Sequence, residues 1–142
     1  MKKVIAVAAF VCAVVLEGFA MTAEETIAST LWHEARGEGA DGIRAVASVI
    51  VNRSKKSGKT CAYECLKPKQ FSCWNGRAHV VPAKAKGKVW EFCKAVAHEI
   101  VCGKFKTTNN ATHYYNFHLC NPSWGRKMRD VAVVGNHRFG RV

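Results

Sequence analysis

This chain is short of acid. Asp and Glu number 10 against 22 Lys and Arg in 142 residues, a formal net charge of +12. So large an excess implies an acidic polymer somewhere in the protein's life. Long apolar runs are missing too. The stretch Val4 to Leu16 falls short of the roughly 18 residues a membrane-spanning helix needs, and Glu17 stops it. With no internal repeat, low-complexity tract or obvious linker, the chain reads as one domain.

Several catalytic signatures are absent as well. There is no Gly-x-Ser-x-Gly elbow, and His33-Glu34-x-x-Gly37 lacks the second histidine that a zinc protease places on the same helical face. The spacings Cys61-x3-Cys65 and Cys65-x7-Cys73 fit no compact zinc knuckle. Neither a metal nor a cofactor is expected.

What is present starts with an export signal. Lys2 and Lys3 precede the apolar run, and Gly18 and Ala20 occupy the −3 and −1 positions of a cleavage site. Residues 1–20 are expected to be removed, leaving 21–142 as the folded domain. Two lysines and Glu17 leave with the signal, which takes the net charge from +12 to +11. Export makes nucleic acid a poor partner and points to the carboxylates and phosphates of a bacterial envelope. Six cysteines remain: Cys61, Cys65, Cys73, Cys93, Cys102 and Cys120. That even number in a short exported chain predicts up to three disulfides.

Thr22-Ala23-Glu24-Glu25 fits a capping box. The helix it opens should reach about Ala35, with Ile27, Leu31 and Glu34 on one stripe. Gly37, Gly39 and Gly42 then break the chain. A second helix is expected from about Asp41 to Ser54, with Ile43, Val46, Ala47, Val49 and Ile50 inward. Lys55 to Trp74 reads as irregular. A third helix should start at Pro82 and run to Cys102, burying Val89, Trp90, Cys93, Val96, Ala97 and Ile100. Residues 111–118 alternate like a strand, and Val131 to Val134 is a second strand candidate. The sum is α+β, mainly helical, with a small β part.

Glu34 is the unusual acid. Its place on the apolar stripe aims it inward or at a cleft, beside Trp32 and His33. Desolvation, the like charge of Glu38 one turn on, and the C-terminal end of the helix dipole would all raise its pKa. A general acid working near neutral pH needs that shift. Residue patterning alone fits a second description equally well, two solvated acids in a fraying last turn. Phe71, Trp74, Tyr114, Tyr115 and Trp124 flank the polar Gln70, Asn75, His113 and Asn116, a composition suited to stacking and hydrogen-bonding sugars. Two or three of those rings are expected in the core instead, and His113 and His137 as structural histidines.

At these residues the sequence resembles the SleB-type cell-wall hydrolases, the spore-cortex-lytic enzymes with their bacterial and phage relatives. The likeness runs through Glu34-Ala35-Arg36-Gly37-Glu38, Asn52-Arg53, Gln70-Phe71-Ser72-Cys73-Trp74 and Ala111-Thr112-His113-Tyr114-Tyr115. It continues through Pro122-Ser123-Trp124 and ends on Gly135-Asn136-His137-Arg138-Phe139. The segments come in family order. The resemblance implies a lysozyme-like domain, here disulfide-stabilised, that cuts peptidoglycan glycan strands. It makes Glu34 the general acid/base and Glu38 its support, and it puts Gln70, Phe71, His113 and Tyr114 along the cleft. Trp74 and Tyr115 join them on composition. Lytic transglycosylases of this kind let the substrate's own 6-hydroxyl attack, so one protein carboxylate suffices. A water-using muramidase, an amidase, and a non-enzymatic basic wall-binding or membrane-disrupting protein are the rivals. The resemblance covers the catalytic part of longer spore enzymes, so wall attachment is expected to rest on the basic surface or on a partner. The protein itself is expected to be a monomer. Gly140 departs from the family, standing where an aromatic often follows the final Phe.

Overall fold

The computed structural model describes residues 21–76 and 81–142. The expected signal segment lies outside them. Four helices carry the fold: α1 (Ala23–Ala35), α2 (Gly39–Ser57), α3 (Cys61–Leu66) and α4 (Gly87–Val101). A three-stranded antiparallel sheet follows, from β1 (His113–Asn116), β2 (Arg129–Val134) and β3 (His137–Arg141), in the order β1-β3-β2. No helix among the described residues is long and apolar enough to cross a membrane.

Helix α1 forms where the capping box predicts. Thr22 Oγ1 accepts from the Glu25 backbone N–H at 3.1 Å, and the Glu25 carboxylate accepts from the Thr22 N–H at 2.9 Å. Two otherwise orphaned donors are thereby satisfied. Helix α1 then packs against α2, α3 and α4, burying Ile27, Ala28, Leu31 and Ala35 against Val46, Val49, Ile50 and Val96. This is the core.

Helix α2 positions β1. Asn52 Nδ2 donates to the Asn109 and Ala111 carbonyls, both at 2.9 Å, and Arg53 Nε donates to the Thr112 carbonyl at 2.7 Å. The strand that begins at His113 is thus anchored to α2 by three hydrogen bonds just ahead of it. Tyr114 lies opposite Phe139 in the β1–β3 register, and their rings stack at 5.4 Å. Such cross-strand ring pairs fix register as well as adding stability.

Several expectations need correcting. Lys55 to Trp74 is not irregular: α2 runs on to Ser57, α3 follows, and a 3-10 turn spans Ser72–Trp74. Thr60 caps α3 through its side chain at 3.1 Å from the Tyr63 N–H. Pro82 sits in a turn closed by the Ala85 N–H, and α4 begins only at Gly87, whose φ of +80° favours glycine. Val89 is exposed rather than inward. Strand β3 was not foreseen, although Gly135-Asn136 between β2 and β3 is a two-residue hairpin signal, with Gly135 at φ +56°. At Gly140, a Cβ would lie 2.6 Å from Met128 Cε and 2.9 Å from the Arg129 carbonyl. Met128 therefore fills the space an aromatic would need to begin from.

The disulfide framework is corrected as well. No disulfide joins any two described cysteines. Cys65 and Cys93 are wholly buried, and burial pushes their thiols up to about 12 and about 11. Cys102 and Cys120 are exposed on separate parts of the chain. Apolar packing around α1 holds the domain together.

Candidate functional site

Two helices each continue an apolar stripe into one charged residue, and both charges meet at the same place. On α1 the stripe Ile27–Leu31 leads to Glu34; on α2 Val46, Val49 and Ile50 lead to Arg53. Both residues line a cleft of about 700 Å³ under the sheet. Its walls include Gln70, Asn75, His113, Tyr114, Asn116, Trp124 and His137.

The Tyr114 hydroxyl donates to Glu34 Oε2 at 2.5 Å. Burial raises the Glu34 pKa above the ordinary carboxylate range; the Tyr114 hydrogen bond, His137 and Arg53 pull against it without cancelling it. Glu38, expected to repel Glu34, plays no part in that balance. Tyr114 is itself pushed well up by burial and by the adjoining carboxylate, so its proton stays on the phenol. The pair Tyr114–Glu34 is a donor aimed at an acid whose charged form is costly.

Glu38 is not among the residues lining the cleft. Its carboxylate accepts from the Asn136 backbone N–H at 3.0 Å and from Asn136 Nδ2 at 3.3 Å, and lies 3.7 Å from His137 Nδ1. Those contacts hold its pKa below the ordinary value, opposite to the expected direction. Clearance for it is tight: a Cβ on Gly42 would sit 2.3 Å from Glu38 Cβ, and one on Gly135 at 2.3 Å from its Oε2. Glu38 is thus a clamp between the start of α2 and the β2–β3 hairpin. Through that hairpin it sets His137, whose ring packs edge-on to Tyr114 at 5.5 Å.

Replacing Glu38 by Gln should cost about 1–2 kcal/mol at neutral pH, from loss of charge-assisted hydrogen bonds, measured by urea unfolding. The sign of its pH dependence follows from the depressed pKa. The contribution is fully present above the unfolded carboxylate value and is lost as pH falls through the lower folded one. Wild type should therefore lose its advantage over the variant on acidification below the ordinary carboxylate range.

Of the other expected site residues, Gln70, His113, Tyr114 and Tyr115 line the cleft. Tyr115 shows little surface, at 8 % exposure, with its ring edge-on to Trp124 at 5.6 Å. His113 lies 5.3 Å from the Trp124 ring, and burial together with Arg53 and Lys56 depresses its pKa, so it faces the cleft neutral. Phe71 is a correction: at 2 % exposure it belongs to the core and cannot stack on a sugar. Trp74 is another. Its indole N–H donates to Thr30 Oγ1 at 2.9 Å, and the half-buried ring packs against the core and is not among the residues lining the cleft. Arg53, Lys69 and His137 were not foreseen as cleft residues. The signal for Arg53 was available, because a charge continuing a buried stripe is as odd on α2 as on α1. Among the described residues no group of three or more His, Cys, Asp or Glu is arranged to hold a metal ion.

Comparison with known proteins gives the chain a family and its fold a likeness. The family model described as "Cell Wall Hydrolase" matches residues 37–140, and the chain belongs to that family. A curated relative, the spore cortex-lytic enzyme of Oceanobacillus iheyensis, is 26 % identical over 128 residues. That match covers 87 % of this chain but 43 % of the relative, so the chain spans less than half of its length. The catalytic domain of the germination-specific lytic transglycosylase SleB from Bacillus anthracis superposes with a TM-score of 0.66 at 24 % identity. That match covers 89 % of this chain and 99 % of the domain. The Bacillus cereus SleB catalytic domain gives 0.66 at 23 % identity, over 87 % of this chain and 93 % of that one. The family match opens three residues after Glu34, so the reading of Glu34 rests on the geometry above.

Proposed function

We propose that the protein is an exported peptidoglycan hydrolase that cuts the glycan strand between N-acetylmuramic acid and N-acetylglucosamine, as a lytic transglycosylase. The observation that carries this reading is the Glu34 carboxyl, raised in pKa and held by Tyr114 in the cleft. Protonated Glu34 gives its proton to the bridging oxygen as the bond to the anomeric carbon breaks. The 6-hydroxyl of the muramoyl unit attacks that carbon, and the Glu34 carboxylate takes the hydroxyl proton. The product is a 1,6-anhydro end, and Glu34 is protonated again.

Glu34 is the acid that lines the cleft, whereas Glu38 is committed to the hairpin. That division supports attack by the substrate's own hydroxyl over a two-carboxylate scheme, in which a second acid would activate water or attack directly. Glu38 is then a positioning residue. Export through residues 1–20, a monomeric state and attraction of the basic surface to acidic envelope polymers complete the reading. Mass spectrometry of digested wall separates the rivals: anhydro ends support it, whereas reducing muramic acid or free alanine amines would overturn it for a muramidase or an amidase.

Tyr114→Phe gives a directional check. The phenol donates to the ionised carboxylate and favours it, so its loss should raise the Glu34 pKa further. The alkaline limb of the pH–rate profile should move to higher pH. A limb displaced downward would contradict Glu34 as the titrating acid.

A further inference from the structure

Beside the Glu34 cleft, and sharing Arg53, Gln70 and His113 with it, lies a second pocket of about 420 Å³. Such a volume suits a small ligand or a short branch of a larger one. Lys56, Ser57, Glu64, Lys67 and Thr112 complete its lining. Two properties set it apart from the generally basic surface. Lys56 and Lys67 are exposed, and among the described residues neither ammonium has a carboxylate at ion-pair distance. Arg53 also carries an unspent donor, because its buried Nη1 has no hydrogen-bond partner among the described residues.

The second property is a buried acid within the same pocket. Glu64 is 2 % exposed and its Oε1 accepts from the Ser57 hydroxyl at 2.5 Å. A lining of three cations around one fixed carboxylate is mixed in sign. A polyphosphate chain would meet repulsion at Glu64. A peptide would not, because its N–H groups can face the acid while its carboxylates face the lysines.

We propose that this pocket is a peptide subsite, taking a carboxylate of the acidic stem peptide that branches from a sugar bound in the Glu34 cleft. The inference rests on the peptidoglycan reading above and adds what the strand must carry. Shared walls mean that a branch leaving the cleft past Gln70 and His113 meets the pocket that Lys56 and Lys67 line. The enzyme would then sense which muramoyl units bear peptide.

Calorimetric titration of the mature chain with L-alanyl-γ-D-glutamyl-L-lysine tests it directly, with the fully amidated peptide as the comparison. The acid form should bind at least about 10-fold more tightly than the amide, a difference of about 1.4 kcal/mol. The exposed-site double variant Lys56→Gln/Lys67→Gln should erase that difference. A charge-matched variant elsewhere, Lys88→Gln/Lys104→Gln, should keep it. Equal binding of acid and amide, no binding, or equal loss in the two double variants would overturn the subsite. So would inorganic polyphosphate competing more strongly than the peptide. Strand cleavage plays no part in this readout. A protein that binds the peptide but cuts no strand therefore supports the subsite and overturns the glycosidic reading instead.

Discussion

Replacing Glu34 by Gln should lower glycan-strand cleavage by at least about 100-fold, the lower end of what a positioned proton donor contributes. The substitution keeps the shape of the side chain and an oxygen that can accept from the Tyr114 hydroxyl, so geometry survives while the proton is lost. Stability supplies the second half of the test. A carboxyl whose folded pKa is raised adds stability below its unfolded value, and that stability is lost as pH rises through the folded one. At neutral pH the glutamine variant should therefore melt no lower than wild type, and the gap in its favour should grow as pH rises through the folded Glu34 pKa and stay constant above it. An inactive variant that is also less stable would point to misfolding; an active one would end the proposed mechanism. Gain in stability with loss of activity is the mark of a site where folding tolerates strain for chemistry.

Phe71→Ala should cost about 3–5 kcal/mol, the usual consequence of emptying a buried aromatic site. That is a large part of a domain's total stability, commonly 5–15 kcal/mol. Phe71 is 2 % exposed, and the Arg53 guanidinium lies 5.4 Å above its ring. The loss should appear in urea unfolding, with Phe71→Leu intermediate. Below the unfolding transition, affinity for a chitin-type oligosaccharide should stay within about 2-fold of wild type, well under the tenfold that corresponds to 1.4 kcal/mol. A strong loss of affinity at full folding would return Phe71 to the sugar-binding surface.

These two residues show where sequence is readable. Glu34 was legible because three spaced positions of one helix, Ile27, Leu31 and Glu34, put an acid where a leucine belongs. The capping box settled where that helix starts, and the ordered family segments reached the cleft. Phe71 had no such frame. It follows Gln70 in a short segment without helical or strand period, so its neighbours in sequence say nothing of its neighbours in space. Glu38 failed for another reason. It stands at the junction before α2, where its direction is set by Asn136, 98 residues further along. Proximity along the chain suggested a pair with Glu34, and a distant hairpin decided otherwise. The cysteines mislead in the same way: an even count describes a possibility, while burial of Cys65 and Cys93 in the core describes their use.

The Glu38 clamp has a consequence for the acid side of the pH profile. A single-carboxylate mechanism needs Glu34 protonated at the start, so acidification cannot starve it of its proton. Glu38, held below the ordinary carboxylate range by Asn136 and His137, is the group that gives way instead. As it takes up a proton, its hydrogen bonds from Asn136 lose their charge assistance, and the hairpin bearing His137, which packs against Tyr114, is held less firmly. Under the proposed mechanism, activity should then fall in acid while Glu34 keeps its proton, by slackening of the wall against which that carboxyl is aimed.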